Sequence, residues 1–298
     1  MSLRTAARRW APVAAISGVL GTFHPAPSDV PDLPLWPEPV AERITVRSGR
    51  DGVRVACWFL DSTGPHCVVV MHGLGQTAGD VARQCEAIRA AGHHVVVFEL
   101  RNHGRSDRRR RFMRMSDRQV ADLAAVVDRV RSDPRVTGRI GLFACSFSTW
   151  AATRLAATGR AGTIDALVCD SGPERSTGRA IGSIVARRAE FAGRTPAQAQ
   201  RAGRFAEWFA RTIIAEPDWP PPRLTTPSLF LVGRRDRVIS AAEVRAFAAR
   251  YPTARCTVDP RAAHLTWASR DPERYDGLLR DHFDAHLGEP ARRTECGR

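Results

Sequence analysis

Ile140-Gly141-Leu142-Phe143-Ala144-Cys145-Ser146-Phe147-Ser148 runs from apolar residues into a serine with a small side chain two positions to either side. A short continuous apolar run suits a strand covered on both faces. It leads into a small residue, a cysteine, a serine, a phenylalanine and another small residue, and Thr149-Trp150-Ala151-Ala152 then opens a helix. A serine on a strained strand-to-helix turn presses against neighbouring backbone, so its flankers must be small. The sharp turn exposes the hydroxyl, and the helix N-terminus behind it stabilises negative charge. This is the layout of a nucleophile elbow, G-x-S-x-G, with Ala144 and Ser148 in the glycine places. Taken alone, the segment also reads as an ordinary polar strand-to-helix turn.

Similar buried runs recur on either side. Ile44-Thr45-Val46 and Val53–Leu60 read as an opening strand pair. Cys67–Val70, Val95–Phe98, Ala166–Cys169, Leu229–Val232 and Arg255–Val258 read as further strands, mostly covered on both faces. Helical signals fall between them. Val81, Cys85 and Ile88 share a face; Ser116 with Gln119, and Ser240 with Glu243, have capping-box spacing; Asp271-Pro272 starts a helix that Gly288 can end. The alternation predicts an α/β protein with a doubly wound, mostly parallel sheet. The connection between Cys169 and Ser228 is too long for a simple crossover. It holds two helical patterns, one on Ile181, Ile184 and Val185, the other on Phe205, Trp208, Phe209 and Ile213 after a start at Thr195-Pro196. A helical insertion of this kind after the sixth strand reads as a lid. The expected organisation is an N-terminal arm and Pro-rich tether over 1–41, a core over 42–170 and 227–288, the lid over 171–226, and a tail over 289–298.

Composition narrows the chemistry. The 298 residues are 43% hydrophobic and 26% charged, ordinary for a globular chain. The 45 basic residues are all arginine. Absence of lysine excludes a Walker A loop, a Schiff base and a Ser–Lys dyad. The net charge of +14 raises nucleic acid as a partner, but the arginines are scattered, and no nucleic-acid partner is expected. The seven cysteines form no C-x-x-C pair and several sit in apolar runs, so they read as buried free thiols. Arg4, Arg8 and Arg9 precede an uncharged stretch to Phe23, the order of an export signal, but Pro12, Gly18 and Gly21 interrupt it. The expected location is cytoplasmic, with export as the alternative if 1–27 act as a signal; the stretch is too short to span a bilayer.

Five motifs stand in one order. Val70-Met71-His72-Gly73-Leu74-Gly75 is followed by Phe98-Glu99-Leu100-Arg101-Asn102-His103-Gly104-Arg105-Ser106, then by the Ser146 segment. After it come Leu231-Val232-Gly233-Arg234-Arg235-Asp236-Arg237-Val238 and Ala262-Ala263-His264. On these motifs the chain from about Glu42 to His286 resembles the α/β-hydrolase fold superfamily, in its lidded serine hydrolase and esterase branch. Glu99 departs from the aspartate of the family's D-x-R-x-x-G-x-S segment. The resemblance implies that Ser146 attacks a carbonyl carbon, that His264 takes its proton, and that Asp236 orients the imidazole. The oxyanion donors would be the backbone N–H groups of Phe147 and Leu74.

Other residues compete for these roles. Asp170, at the end of the sixth strand, is a rival acid. His72 reads as shaping the loop beneath the oxyanion hole. Cys145 reads as core. His282 and His286 lie four apart on a helix, but no third ligand is evident, and they read as surface histidines; no metal or organic cofactor is expected. Ile181, Ile184, Phe205, Trp208 and Phe209 are the candidate pocket and lid residues, suiting a partly hydrophobic acyl group. The run Arg108, Arg109, Arg110 and Arg111 reads as a solvated loop or as a patch for an acidic partner such as an acyl carrier protein. The expected activity is hydrolysis of a small-molecule ester or thioester through an acyl-serine. Acyl transfer or cyclisation on the same triad, and a non-catalytic binding role, are the alternatives.

Overall fold

The computed structural model describes residues 16, 17, 19–21, 41–48, 51–109, 113–158, 164–173, 176–214 and 223–288. Eight strands form one sheet: β1 (Ala41–Ser48), β2 (Val53–Leu60), β3 (Cys67–Met71), β4 (His94–Phe98), β5 (Ile140–Cys145), β6 (Ala166–Asp170), β7 (Ser228–Gly233) and β8 (Ala254–Asp259). Their spatial order is β1-β2-β4-β3-β5-β6-β7-β8. β1 and β2 pair antiparallel, as does β2 with β4, and every other pairing is parallel. The expected doubly wound sheet is thus present, with β5 near its middle.

Continuous apolar runs work here because both faces are covered. Val69, Met71, Leu142 and Ala144 point into one core layer; Val68, Val70, Phe143 and Cys145 point into the other. The first layer is closed by α2 (Met115–Arg131) and α3 (Ser148–Ala157), the second by α1 (Ala82–Ala90) and α8 (Pro272–Leu287). Val19, from the described part of the N-terminal segment, is buried in the first layer. Between β6 and β7 lie α4 (Thr177–Phe191) and α5 (Pro196–Thr212), the two helices expected of the insertion. α6 (Ala241–Ala248) and the short α7 (Trp267–Arg270) complete the elements.

Three local expectations are corrected. Helix α2 starts at Met115 behind Arg114, and Ser116 is buried inside its first turn rather than capping it. The apolar demand of the core on Met115 overrides the capping spacing. β8 is an edge strand, half exposed along most of its length, not covered on both faces. His282 is buried rather than on the surface, since α8 turns it inward beside Phe283. The thiols agree with the sequence: Cys57, Cys67, Cys85, Cys145 and Cys169 are free and buried, while Cys256 is half-buried and Cys296 lies outside the described residues. Burial pushes the thiols of Cys57 and Cys169 up to about 12. Among the described residues no helix is long and apolar enough to cross a membrane.

One buried ion cluster ties the segment after β4 to α2. Arg101 donates twice to Asp122, at 2.6 Å each, and once to Asp51 at 2.9 Å. The Ser48 hydroxyl also donates to Asp122. A guanidinium this buried persists only because it is paired.

Candidate active site

β5 ends at Cys145 and α3 begins at Ser148, leaving two residues for the turn. Ser146 takes φ +52°, the left-handed region that a non-glycine residue adopts at a cost. Several bonds hold it there. Its N–H donates to the Asp170 carbonyl at 2.8 Å. The Ser148 hydroxyl donates to the Cys145 carbonyl at 2.7 Å, and the Thr149 hydroxyl to the Ser146 carbonyl at 2.6 Å. Ser148 therefore does more at its position than stay small: it satisfies a carbonyl that the turn would orphan.

The loops at the carboxyl ends of β7 and β8 bring the partners. The Nδ1 of His264 lies 2.8 Å from Asp236 Oδ2, and its Nε2 lies 2.9 Å from Ser146 Oγ. A carboxylate at Nδ1 fixes the tautomer, leaving Nε2 to accept from the serine hydroxyl. The Asp236 side chain is fully buried, and its Oδ1 accepts from the N–H groups of Val238 at 2.8 Å and Ile239 at 2.9 Å. Asp259 plays a matching part under the histidine loop, accepting from Arg261 at 2.8 Å and Ala262 at 2.6 Å. Between the two loops Gly233 packs against Ala262, leaving no space for a β-carbon.

Asp170, the rival acid, faces elsewhere. Its Oδ2 accepts from the Tyr275 hydroxyl at 2.6 Å and its Oδ1 from the Ser171 hydroxyl at 2.9 Å. Burial raises its carboxyl above the ordinary range. Ser171 in turn accepts from Leu265 N–H at 3.3 Å, so Asp170 supports the histidine loop from beneath. Cys145 is buried, bonded to the Met71 carbonyl at 3.4 Å, and burial pushes its thiol up, as a core residue would show.

Leu74 sits in a loop whose neighbouring amides are occupied. Gly73 N–H donates to Gln76 Oε1 at 2.8 Å, and Gly75 N–H to His103 Nε2 at 2.9 Å. Leu74 N–H has no partner among the described residues. The Gly73 carbonyl, which belongs to the same peptide as that N–H, lies 2.8 Å from His72 Nδ1. His72 Nε2 lies 3.0 Å from Leu100 N–H, so the ring is held at both nitrogens. A planar peptide gripped at its carbonyl has a fixed N–H direction. A β-carbon on Gly73 would stand 3.2 Å from that of Ser146, so the loop lies directly against the serine. Glu99 accepts from Ala78 N–H at 3.1 Å and lies 3.0 Å from His72 Nε2.

The sequence overlooked His103, Gln76, Ser171 and Asp259. His103 stands inside the Phe98–Ser106 motif and Gln76 directly follows the Val70–Gly75 motif; nothing in the sequence pointed to Ser171 or Asp259 as supports. The remaining expected residues divide. Ile181 is buried, while Ile184, Phe205 and Phe209 are half-buried. Trp208 stands 51% exposed against Phe205, on the outer side of α5 rather than in an enclosed pocket. Arg108 and Arg109 are exposed. Arg110 and Arg111 lie outside the described residues, as do most of 1–40 and all of 289–298. Among the described residues no cluster of His, Cys, Asp or Glu could hold a metal.

The family described as serine aminopeptidase, S33, matches residues 65–201. No curated protein matches the chain in sequence. Solved structures do share its fold. An esterase of Pyrococcus furiosus is 19% identical with a TM-score of 0.66, covering 83% of this chain and 92% of its own. A thermophilic esterase from Thermogutta terrifontis is 21% identical with a TM-score of 0.60, covering 81% and 97%. An epoxide hydrolase from Vigna radiata is 15% identical with a TM-score of 0.59, covering 83% and 98%.

Proposed function

We propose, from the α/β-hydrolase fold that this chain has, that it is a serine hydrolase cleaving a small-molecule ester or thioester. The observation that carries this reading is the unbroken chain Ser146–His264–Asp236, with Ser146 on a left-handed turn. Ser146 Oγ attacks the carbonyl carbon while its proton passes to His264 Nε2. The imidazolium formed is stabilised by Asp236, which stays ionised. The oxyanion accepts from Leu74 N–H and Phe147 N–H, and each such donor is worth about 3–4 kcal/mol of barrier. His264 then protonates the leaving alcohol or thiol, and the acyl group remains on Ser146. In the second half the same imidazole takes a proton from water, the hydroxide attacks the acyl-serine, and the imidazolium returns its proton to Ser146 Oγ as the carboxylic acid leaves. Helices α4 and α5 serve as the lid, and the half-buried Ile184, Phe205 and Phe209 favour an apolar acyl chain.

The test is turnover of p-nitrophenyl esters and matching thioesters of graded acyl length, with Ser146→Ala beside the wild type. A burst of alcohol or thiol, abolished in Ser146→Ala, supports the reading. Turnover that survives the substitution overturns it.

A further inference from the structure

A cavity of about 710 Å³ lies beside the loop that carries Asp236, between α4 and the start of α6. Its wall holds Arg179, Arg234, Arg237 and Arg245, with the hydroxyl residues Ser183 and Ser240. Arg179 pairs with Glu243 at 3.4 Å, bridging the insertion to the core. Arg234, Arg237 and Arg245 have no carboxylate partner among the described residues. The one acid in the wall, Asp236, pairs with none of them: its side chain is fully buried and both oxygens are engaged with His264, Val238 and Ile239. The first turn of α6, at Ala241 and Ala242, adds backbone N–H groups that an α-helix leaves without intrahelical partners.

We propose that this cavity binds the phosphate groups of a small ligand bearing two or more phosphates. Three arginines without carboxylate partners in the wall of one cavity favour a partner carrying several negative charges at short spacing. The planar guanidinium fork matches phosphate oxygens in pairs. A single phosphate leaves most of this volume empty, whereas cavities of ~300–1,000 Å³ suit ligands of nucleotide size. None of the lining groups is the Ser146 hydroxyl or the His264 ring, so the site stands whether or not the chain is a hydrolase.

Calorimetric titration of the full chain with pyrophosphate, ADP and citrate, at near-physiological salt, tests the proposal. The expected result is saturable one-to-one binding of pyrophosphate and ADP, with citrate weaker. Arg234→Gln with Arg237→Gln should weaken pyrophosphate about ten-fold or more, by loss of charged hydrogen bonds. The exposed pair Arg201→Gln with Arg204→Gln, on α5, carries the same charge change and should leave binding within about two-fold. Circular dichroism shows that both variants are folded. Absence of saturable binding, equal loss in both variants, or citrate binding as tightly as pyrophosphate overturns the proposal.

Discussion

Gly233 and Ala262 touch so closely that a β-carbon on Gly233 would collide with the Ala262 carbonyl. This contact sets the spacing between the loop of Asp236 and the loop of His264, and the backbone bond from Arg235 N–H to Ala262 at 3.0 Å reinforces it. Gly233→Ala forces the loops apart. The expected cost is about 1–3 kcal/mol of stability, from overpacking against backbone. Ester turnover should fall further than that stability loss explains. Thermal melts and kcat, measured together, check both. A variant that keeps full stability and full activity contradicts the contact.

Asp236 and Asp170 are both buried carboxyl groups near the site, yet only Asp236 reaches His264. Asp236→Asn should lower kcat by ~10³–10⁴, because the imidazole loses its orienting anion. Asp170→Asn should leave kcat within about ten-fold while lowering stability by about 1–3 kcal/mol through the weakened Tyr275 and Ser171 bonds. Steady-state kinetics on the two variants separates the roles; the opposite ranking assigns the acid to Asp170.

His103 acts at one remove, by holding Gly75 N–H in the peptide that follows Leu74, and so the course of the loop that carries the Leu74 N–H. His103→Ala should reduce kcat by up to about a hundred-fold with a smaller change in KM, the pattern of a misplaced donor. His103→Gln, whose amide oxygen can accept the same bond, should recover part of the loss. Equal effects on kcat and KM, with no recovery, would point to a purely structural part for His103.

His282 supplies a pH signature in stability. Burial pushes its imidazole down to about 4, aided by the positive charges of His286 and Arg255. A histidine depressed in the folded state binds its proton more readily when unfolded. Its contribution is therefore fully present above pH ~6.5 and is lost as pH falls toward about 4. The span is up to about 3 kcal/mol. His282→Leu should flatten the stability profile between those two pH values, as followed by urea unfolding at a series of pH values. An unchanged profile contradicts the assignment.

The sheet was legible because the covered strands of a doubly wound fold leave short apolar runs, which locate β2 to β7 to within a residue or two, while the edge strand β1 begins three residues before its run. The Ser146, Asp236 and His264 positions were legible because each stands at a strand's carboxyl end, on a motif with fixed local spacing. What the sequence hid is what depends on contact across the chain. His282 has a polar side chain whose burial follows from the rotation of α8 on the sheet, and no periodicity distinguished it from His286. Trp208 belongs to the apolar pattern of α5 but faces outward, since the pattern is wider than the face that α4 covers. The arginine cavity joins α4 to a loop and a helix about sixty residues later, a juxtaposition that scattered arginines do not announce.

On the proposed mechanism Ser146 is an activated nucleophile. Intact-mass labelling with a fluorophosphonate probe, followed by peptide mapping, tests it most directly. The predicted result is one adduct, on Ser146, absent from His264→Ala and from Ser146→Ala. Folded wild-type protein that takes up no probe, or takes it up equally without His264, contradicts the claim.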